Sequence, residues 1–286
     1  MSAARRRKPV SSVYSNAMSD AIVTRYPSAA AALTAAEAHV PGAEGDGYNF
    51  NGWYGSHDSL AEAIEAARTG VDVSVTRLPG QLPASVSTAR SNTYEVAGGR
   101  LDVERYTVGE PDCMVVRRRR PAPLNVRIGV HNGAMATTTA DVLAERGRRV
   151  LSVLHSLVAM GANVQLDIVS MAYIRYGGIS NICNIIRIKE FGQYVDARTI
   201  AFWIADVSAH RRVGFKLRSV VAAANGGIVD YMGGSCNPSP EDVKREWDLY
   251  LPTKGVWTMD NLPTCEQMLA EALEAAKAAR TGALMA

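Results

Sequence analysis

NVRIGVHNGAMATTTADVLAERGRRVLSVLHSLVAMGANVQLDIVSMAY, residues 125–173, is the stretch whose reading decides the fold. Asn125 to Val130 is a short apolar run of strand length. Asn132 to Thr139 then collects Asn, Gly, Ala and three Thr, the composition of a loop. From Asp141 to Met160 the apolar residues Leu143, Val150, Leu154 and Leu157 recur on one helical face. Thr138 and Asp141 stand at capping-box spacing before that helix, and Gly161 stands where it must stop. Asn163 to Tyr173 reads as a second strand. Strand, loop, amphipathic helix and strand make one α/β unit.

The alternation continues toward the C-terminus. Asn184–Lys189 and Thr199–Ile204 read as strands, and Ser208 begins a helix to about Ala224. Ile228–Tyr231 is a short strand, Pro240 opens a helix reaching about Tyr250, and Thr264 with Gln267 caps a last helix carrying Met268, Leu269 and Leu273. The expected fold is therefore α/β over residues 121–286: a Rossmann-like, largely parallel sheet in three layers, with helices on both faces. In front of it, residues 56–120 read as a small α+β region. Its helix runs from Ser56 to Arg68 with Ser59 and Glu62 as a capping box, followed by a strand over Val71–Arg77 and a turn-rich extended stretch from Ser91 to Val116. Residues 1–55 read as an irregular N-terminal arm, partly flexible, with one Ala-rich helix from Ser28 to Val40 that needs a partner. Arg117–Arg120 with Pro121 and Pro123 reads as the linker.

Composition narrows the function classes. The chain has 286 residues, 47% of them hydrophobic and 21% charged, which is globular rather than disordered. No run approaches the ~18 apolar residues that cross a bilayer, and no apolar stretch follows Arg5–Lys8 as a secretory signal requires. Cys113, Cys183, Cys236 and Cys265 form no CxxC, so neither a zinc cage nor a disulfide framework is expected, and a reducing cytosol suits them. With a net charge of +3, affinity for nucleic acid must come from local clusters.

The loop after the first α/β strand is the usual ligand position in such folds. Here His131, Asn132, Thr137, Thr138 and Thr139 are the candidates, either for an anion or hard cation or simply for the helix's orphan N–H groups. The loop is neither GxGxxG nor GxxxxGK[ST], and no cofactor is expected. Arg5, Arg6, Arg7, Lys8 and Arg117, Arg118, Arg119, Arg120 are two clusters able to neutralise phosphates, with Tyr14, Tyr26, Trp53 and Tyr54 as candidates for base stacking. His210, Arg211, Arg212, Lys216 and Arg218 read as an exposed basic helix face. Cys236 in Gly233–Asn237 has the look of a nucleophile turn but no histidine is placed beside it, and Asp167, Asp206, Asp230 and Asp260 come from separate elements.

The unit over residues 125–173 resembles a von Willebrand factor A-like module, whose first strand ends in Asp-x-Ser-x-Ser around a divalent cation. Val130–Ala134 or His131–Met135 would occupy that motif, and neither supplies the Asp or a Ser. The resemblance implies a scaffold without the metal-dependent adhesion function. Asn51–Ser56, Asp102–Cys113 and Ala144–Gly147 are similar to an uncharacterised family of tailed-bacteriophage proteins, which implies a viral origin and a place in the bacterial host cytoplasm or the virion. The expectation is a non-catalytic, phage-encoded interaction protein that binds another macromolecule or itself. The alternatives are a nucleic-acid-binding protein using Arg5–Lys8 and Arg117–Arg120, and a metal- or cysteine-dependent hydrolase or nuclease.

Overall fold

A computed structural model describes residues 15–16, 18, 21–38, 57–74, 78, 88–97, 99–121, 124–134, 137–176, 179–225, 234–253 and 257–285. Arg5–Lys8, Tyr14, Trp53, Tyr54 and Ile228–Tyr231 lie outside the described residues. In chain order the elements are β1 (Ser15–Asn16), β2 (Ile22–Tyr26), α1 (Ala29–Glu37), α2 (Leu60–Thr69), β3 (Thr88–Glu95), β4 (Arg100–Leu101), α3 (Val103–Thr107), β5 (Met114–Pro121), β6 (Leu124–His131), α4 (Ala140–Ala159), β7 (Ala162–Tyr176) and β8 (Ile179–Lys189). They continue with α5 (Ala197–Ala205), a π-helical turn (Ala209–Gly214) running into α6 (Phe215–Ala224), β9 (Gly234–Ser235), β10 (Asn237–Pro238), α7 (Pro240–Glu246), β11 (Leu249–Leu251) and α8 (Cys265–Met285).

The chain is α/β. Its central sheet runs β11-β6-β7-β8-β2, with β9 added to β7. The pairs β11–β6, β6–β7 and β8–β2 are parallel, whereas β8 turns back antiparallel on β7. Alternation along β7 separates two faces. Val164, Leu166 and Ile168 meet residues of α1, α2, α4, α5 and α8 in the main core. Val169 and Met171, on the other face, pack with Cys183, Ile185, Met18, Cys236 and Trp247. Most helices thus cover one face; α7 and the segments around Met18 and Trp247 cover the other. Trp247 comes so near that a Cβ on Gly129 would lie 2.6 Å from its ring, so only glycine suits that point of β6.

Several expectations need correction. Residues 22–37, assigned to an arm, belong to the sheet: β2 pairs with β8, Ser28 caps α1 by accepting from Ala31 N, and Ala32, Leu33 and Ala36 are buried. Tyr26 is also buried, and burial pushes its hydroxyl up to about 12, so it stacks on no base. Arg117–Arg120 is not a linker but part of β5, antiparallel to β3. Pro121 falls at the strand's end. Val103 and Tyr106 lie in α3, not in an extended run. Residues 71–74 form no strand.

Thr199–Ile204 is in α5 rather than a strand, with Asp196 accepting from Arg198 N at its start. A short apolar run fits a buried helix as well as a buried strand, and here burial continues unbroken from Ala201 to Ala205. The helix from Pro240 ends at Glu246, because Trp247 turns onto the sheet and Leu249–Leu251 joins β6 as an edge strand.

Helices α4 and α5 approach to backbone contact at Gly147. A Cβ on Gly147 would stand 2.3 Å from the Ala205 backbone. A Gly147→Val chain is expected to lose about 1–3 kcal/mol of stability through overpacking, seen as a lower urea midpoint at unchanged slope. An unshifted midpoint would mean the two helices part without cost.

Candidate functional site

Parallel β6 and β11 present their carboxyl ends side by side at His131 and Leu251. Strand-end carbonyls leaving a sheet must find donors. Arg146, on α4 and 5% exposed, supplies them: Nη1 donates to His131 O at 2.9 Å, and Nη2 to Pro252 O at 3.0 Å and Leu251 O at 3.3 Å. Its guanidinium also lies 5.3 Å from the centre of the Trp257 ring. Burial lowers its pKa to about 10, so it remains a cation at neutral pH.

His131 projects to the opposite side of the sheet and is fully buried. Its Nδ1 accepts from Gly133 N at 2.9 Å, which leaves Nε2 as the protonated nitrogen, donating to Cys236 O at 2.9 Å. A Cβ on Gly133 would come within 2.6 Å of the imidazole and 2.8 Å of Ser235 Oγ, so the loop closes over His131 only with glycine there. Burial, and then the charges of Arg146 and Arg218, push the imidazole down to about 3.

The rest of the loop is tied down similarly. Thr253 Oγ1 donates to Gly133 O at 2.6 Å, Ser235 Oγ donates to Ala134 O at 3.2 Å, and Asn237 bonds both N and O of Thr253. Thr138 Oγ1 accepts from Trp257 N at 3.2 Å, and its carbonyl accepts from Arg211. Thr138 is therefore no cap; Thr139 holds the N-cap position of α4, without a side-chain bond to the helix. His131, Asn132 and Thr138 are buried, while Thr137 and Thr139 are exposed. Asn132 Oδ1 has no hydrogen-bond partner among the described residues.

A second buried polar cluster lies beneath the π-helical turn, where the sequence pattern implied a solvated basic face. His210, Arg211, Arg212 and Arg218 are all buried, and Lys216 is half-buried. The wide turn rotates the residues after it relative to an α-helical register, so the helical spacing used on the sequence puts them on the wrong side. Ser208 does not cap this helix; it lies in helical conformation, and its N donates to Asp206 Oδ1. Arg218 Nη2 donates to Ser170 Oγ at 2.8 Å, and Asn184 stands opposite Ser170 across β7 and β8. Both amide atoms of Asn184 and Nδ1 of His210 lack partners among the described residues. The bare face of Gly214 looks onto Ser170 Oγ and His210 Nδ1. Burial and the neighbouring Arg218, Arg211 and His131 push His210 well below its ordinary value.

Apart from these atoms of Asn132, Asn184 and His210, the buried polar groups named above are engaged with one another. Cys236 meets His131 through its carbonyl and is buried, and burial pushes the Cys183 thiol up to about 12. Asp167 is held by Arg187 and by Trp247 Nε1 at 2.9 Å. Asp206 is held by His57 and Ser208, Asp260 sits in an exposed turn, and Asp230 lies outside the described residues. Among the described residues no three His, Cys, Asp or Glu side chains converge as metal ligands.

The small sheet β3-β5-β4 is built differently. Among described side chains from Tyr94 to Val116 only Cys113 is buried. Val96, Val108, Val103 and Tyr106 are 73%, 69%, 65% and 62% exposed, with Tyr94 and Leu101 exposed beside them in sequence. Arg105 stacks over Tyr94 at 4.1 Å and pairs with Glu110. β5 is the middle strand, with Arg90 opposite Arg119 and Asn92 opposite Arg117; the side chains of Arg117–Arg120 lie outside the described residues.

The two buried histidines predict a pH dependence. Their folded pKa values lie below the ordinary 6.5, so below that value the unfolded chain takes up protons that the folded chain refuses. Stability is therefore fully present above about pH 6.5 and falls as pH drops toward 3. At about pH 5 the loss from His131 amounts to roughly 2 kcal/mol, and His210 adds a loss of the same sign. Urea midpoints at about pH 7 and pH 5 should differ accordingly, with a smaller difference in a His131→Gln, His210→Gln chain. Equal wild-type midpoints would show that the imidazoles are protonated in the fold.

No curated protein and no solved structure matches the chain. A family model described as a domain of unknown function, DUF7192, matches residues 8–272. The match takes in both polar clusters and the small sheet, and the chain belongs to that family.

Proposed function

We propose that this chain is a non-catalytic interaction protein that docks another protein, a second copy included, through the apolar surface of residues 94–108. One observation carries the reading: Tyr94, Val96, Leu101, Val103, Tyr106 and Val108 are exposed within fifteen residues. Scattered exposed apolar residues are ordinary, but a group of this kind marks a contact surface. The interior at the strand ends supports the same reading, since its imidazole, guanidinium and loop carbonyls are already engaged.

We read the scaffold as von Willebrand factor A-like. β6, α4, β7 and an antiparallel β8 follow one another, and β11 lies on the far side of β6. The position of that module's cation motif is held by His131, Asn132 and Gly133. The similarity to tailed-phage proteins suggests action in a bacterial host cytoplasm or a virion.

A second reading rests on β5, which brings four consecutive arginines into the middle of the small sheet. Duplex or single-stranded DNA would then be the partner, with a salt slope of about −0.9 per neutralised phosphate on duplex.

Two variants separate these readings. Val96→Asp with Tyr106→Asp and Val108→Asp should leave the melting temperature within a few degrees of wild type. It should also abolish self-association in sedimentation velocity, or the stoichiometric protein retained from host cells. A wild type that is strictly monomeric and retains nothing overturns the proposal, as does a triple variant that behaves like it. Replacing Arg117–Arg120 with Ala should leave protein association intact. If it instead removes salt-dependent DNA binding, the second reading replaces the first.

A further inference from the structure

At the end of the sheet opposite the His131 loop, a cavity of about 570 Å³ opens between α4, the start of β7 and α5. It falls in the ordinary size range of small-molecule sites. The walls are apolar: Leu151, Leu154 and Val158 come from α4, Val164 and Leu166 from β7, and Ile200 from α5. Apolar walls around such a volume are a recurring property of sites that take an apolar ligand.

Polar groups interrupt the lining, among them Asp72, Asn163 and Gln193 and the two cations Lys189 and Arg198. Lys189, the last residue of β8, is half-buried in the wall, and its Nζ donates to Val164 O at 3.0 Å and Glu190 O at 3.1 Å. No carboxylate pairs with it among the described residues, and Glu190 itself is held by Arg187. Arg198 at the rim is paired instead, to Asp72 at 3.0 Å. Burial lowers the Lys189 pKa, the mark of a charge with too little compensation. The mouth carries Val158 and a fully projecting Tyr194, 52% and 90% exposed, both large apolar groups standing in water beside the opening.

We propose that this cavity binds an aliphatic monocarboxylate, its chain between α4, β7 and α5 and its carboxylate on the ammonium of Lys189. An apolar tail satisfies the walls, and one negative charge satisfies the one unneutralised cation. A cationic head would meet Lys189 with like charge, and a neutral head would leave it uncompensated. The site is separate from the surface of residues 94–108, so the proposal stands or falls independently of docking.

The test is isothermal titration of the full chain with dodecanoate, dodecanol and dodecyltrimethylammonium. Dodecanoate should bind at one per chain, at least tenfold tighter than the alcohol and the cation. Lys189→Met keeps the apolar stem and should erase the preference for carboxylate while the alcohol still binds. Val158→Trp with Ala197→Trp obstructs the mouth at exposed positions and should abolish binding of all three without lowering the melting temperature. Absence of dodecanoate binding overturns the proposal. So does equal affinity for the three heads, or binding that survives the obstructed mouth.

Discussion

The carboxyl ends of β6 and β11 are held together by one buried guanidinium. Arg146 is the only group described there that donates to the last carbonyls of both strands at once, and it does so from the helix that follows β6. Three consequences follow. The edge strand β11 is three residues long, too short to hold by its ladder alone, and gains a second anchor at its end. The helix α4 is fixed in rotation, since Arg146 must face the strand ends while Gly147, one residue on, faces α5 at backbone contact. The loop between β6 and α4 is then held at both ends. Replacing the arginine would leave the buried carbonyls of His131 and Leu251 seeking donors at once, a cost of about 1–3 kcal/mol for each one left unsatisfied.

The two faces of the sheet are stabilised by different means. On the helical face the contacts are apolar and continuous, from Val126, Ile128 and Val130 through Leu154 and Leu157 to Trp203. The other face has little helix over it and relies on a few large or paired groups. Trp247 lies on Gly129, stacks on Tyr250 and bonds Asp167, which Arg187 also holds. Asp248 bonds both the backbone and the side chain of Arg127. A face covered this sparsely depends on individual contacts, and the neutral His131 is one of them: charged, it would lose the acceptor that Gly133 N requires.

What the sequence disclosed, and what it concealed, follows from how local each signal is. Capping residues and periodicity are local, and Ser28, Ser59, Ser239 and Thr264 each stand where a helix begins. The unit from Asn125 to Tyr173 was legible from its periodicity, although the cap position is held by Thr139 and not Thr138. Thr199–Ile204 was not, because an apolar run of that length carries no period to distinguish helix from strand. The basic residues from His210 to Arg218 were misplaced because a π-helical turn leaves no mark in composition. The place of β2 in the sheet was equally hidden, since pairing Ile22–Tyr26 with Ile182–Ile186 is a contact across most of the chain. Within the candidate loop the residue types were visible, but their engagement by Arg146, Thr253 and Asn237 was not. Those partners come from elements whose spatial order no local pattern records.

This engagement bears on where function can reside. In open α/β sheets the crevice beyond the strand ends is available because its loops are short of partners. Here the same crevice is filled by a histidine with both nitrogens used, an arginine spread over three carbonyls, and a threonine hydroxyl on the Gly133 carbonyl. A ligand entering it would have to replace bonds that already hold β6 to β11. Exposed groups lie elsewhere: Val96, Val103, Tyr106 and Val108 around the small sheet and α3, and the half-buried Lys189, bonded to two carbonyls but paired with no carboxylate among the described residues, in the cavity at the far end of the main sheet. The periphery of the fold differs. There a new contact disturbs no bond on which the sheet depends.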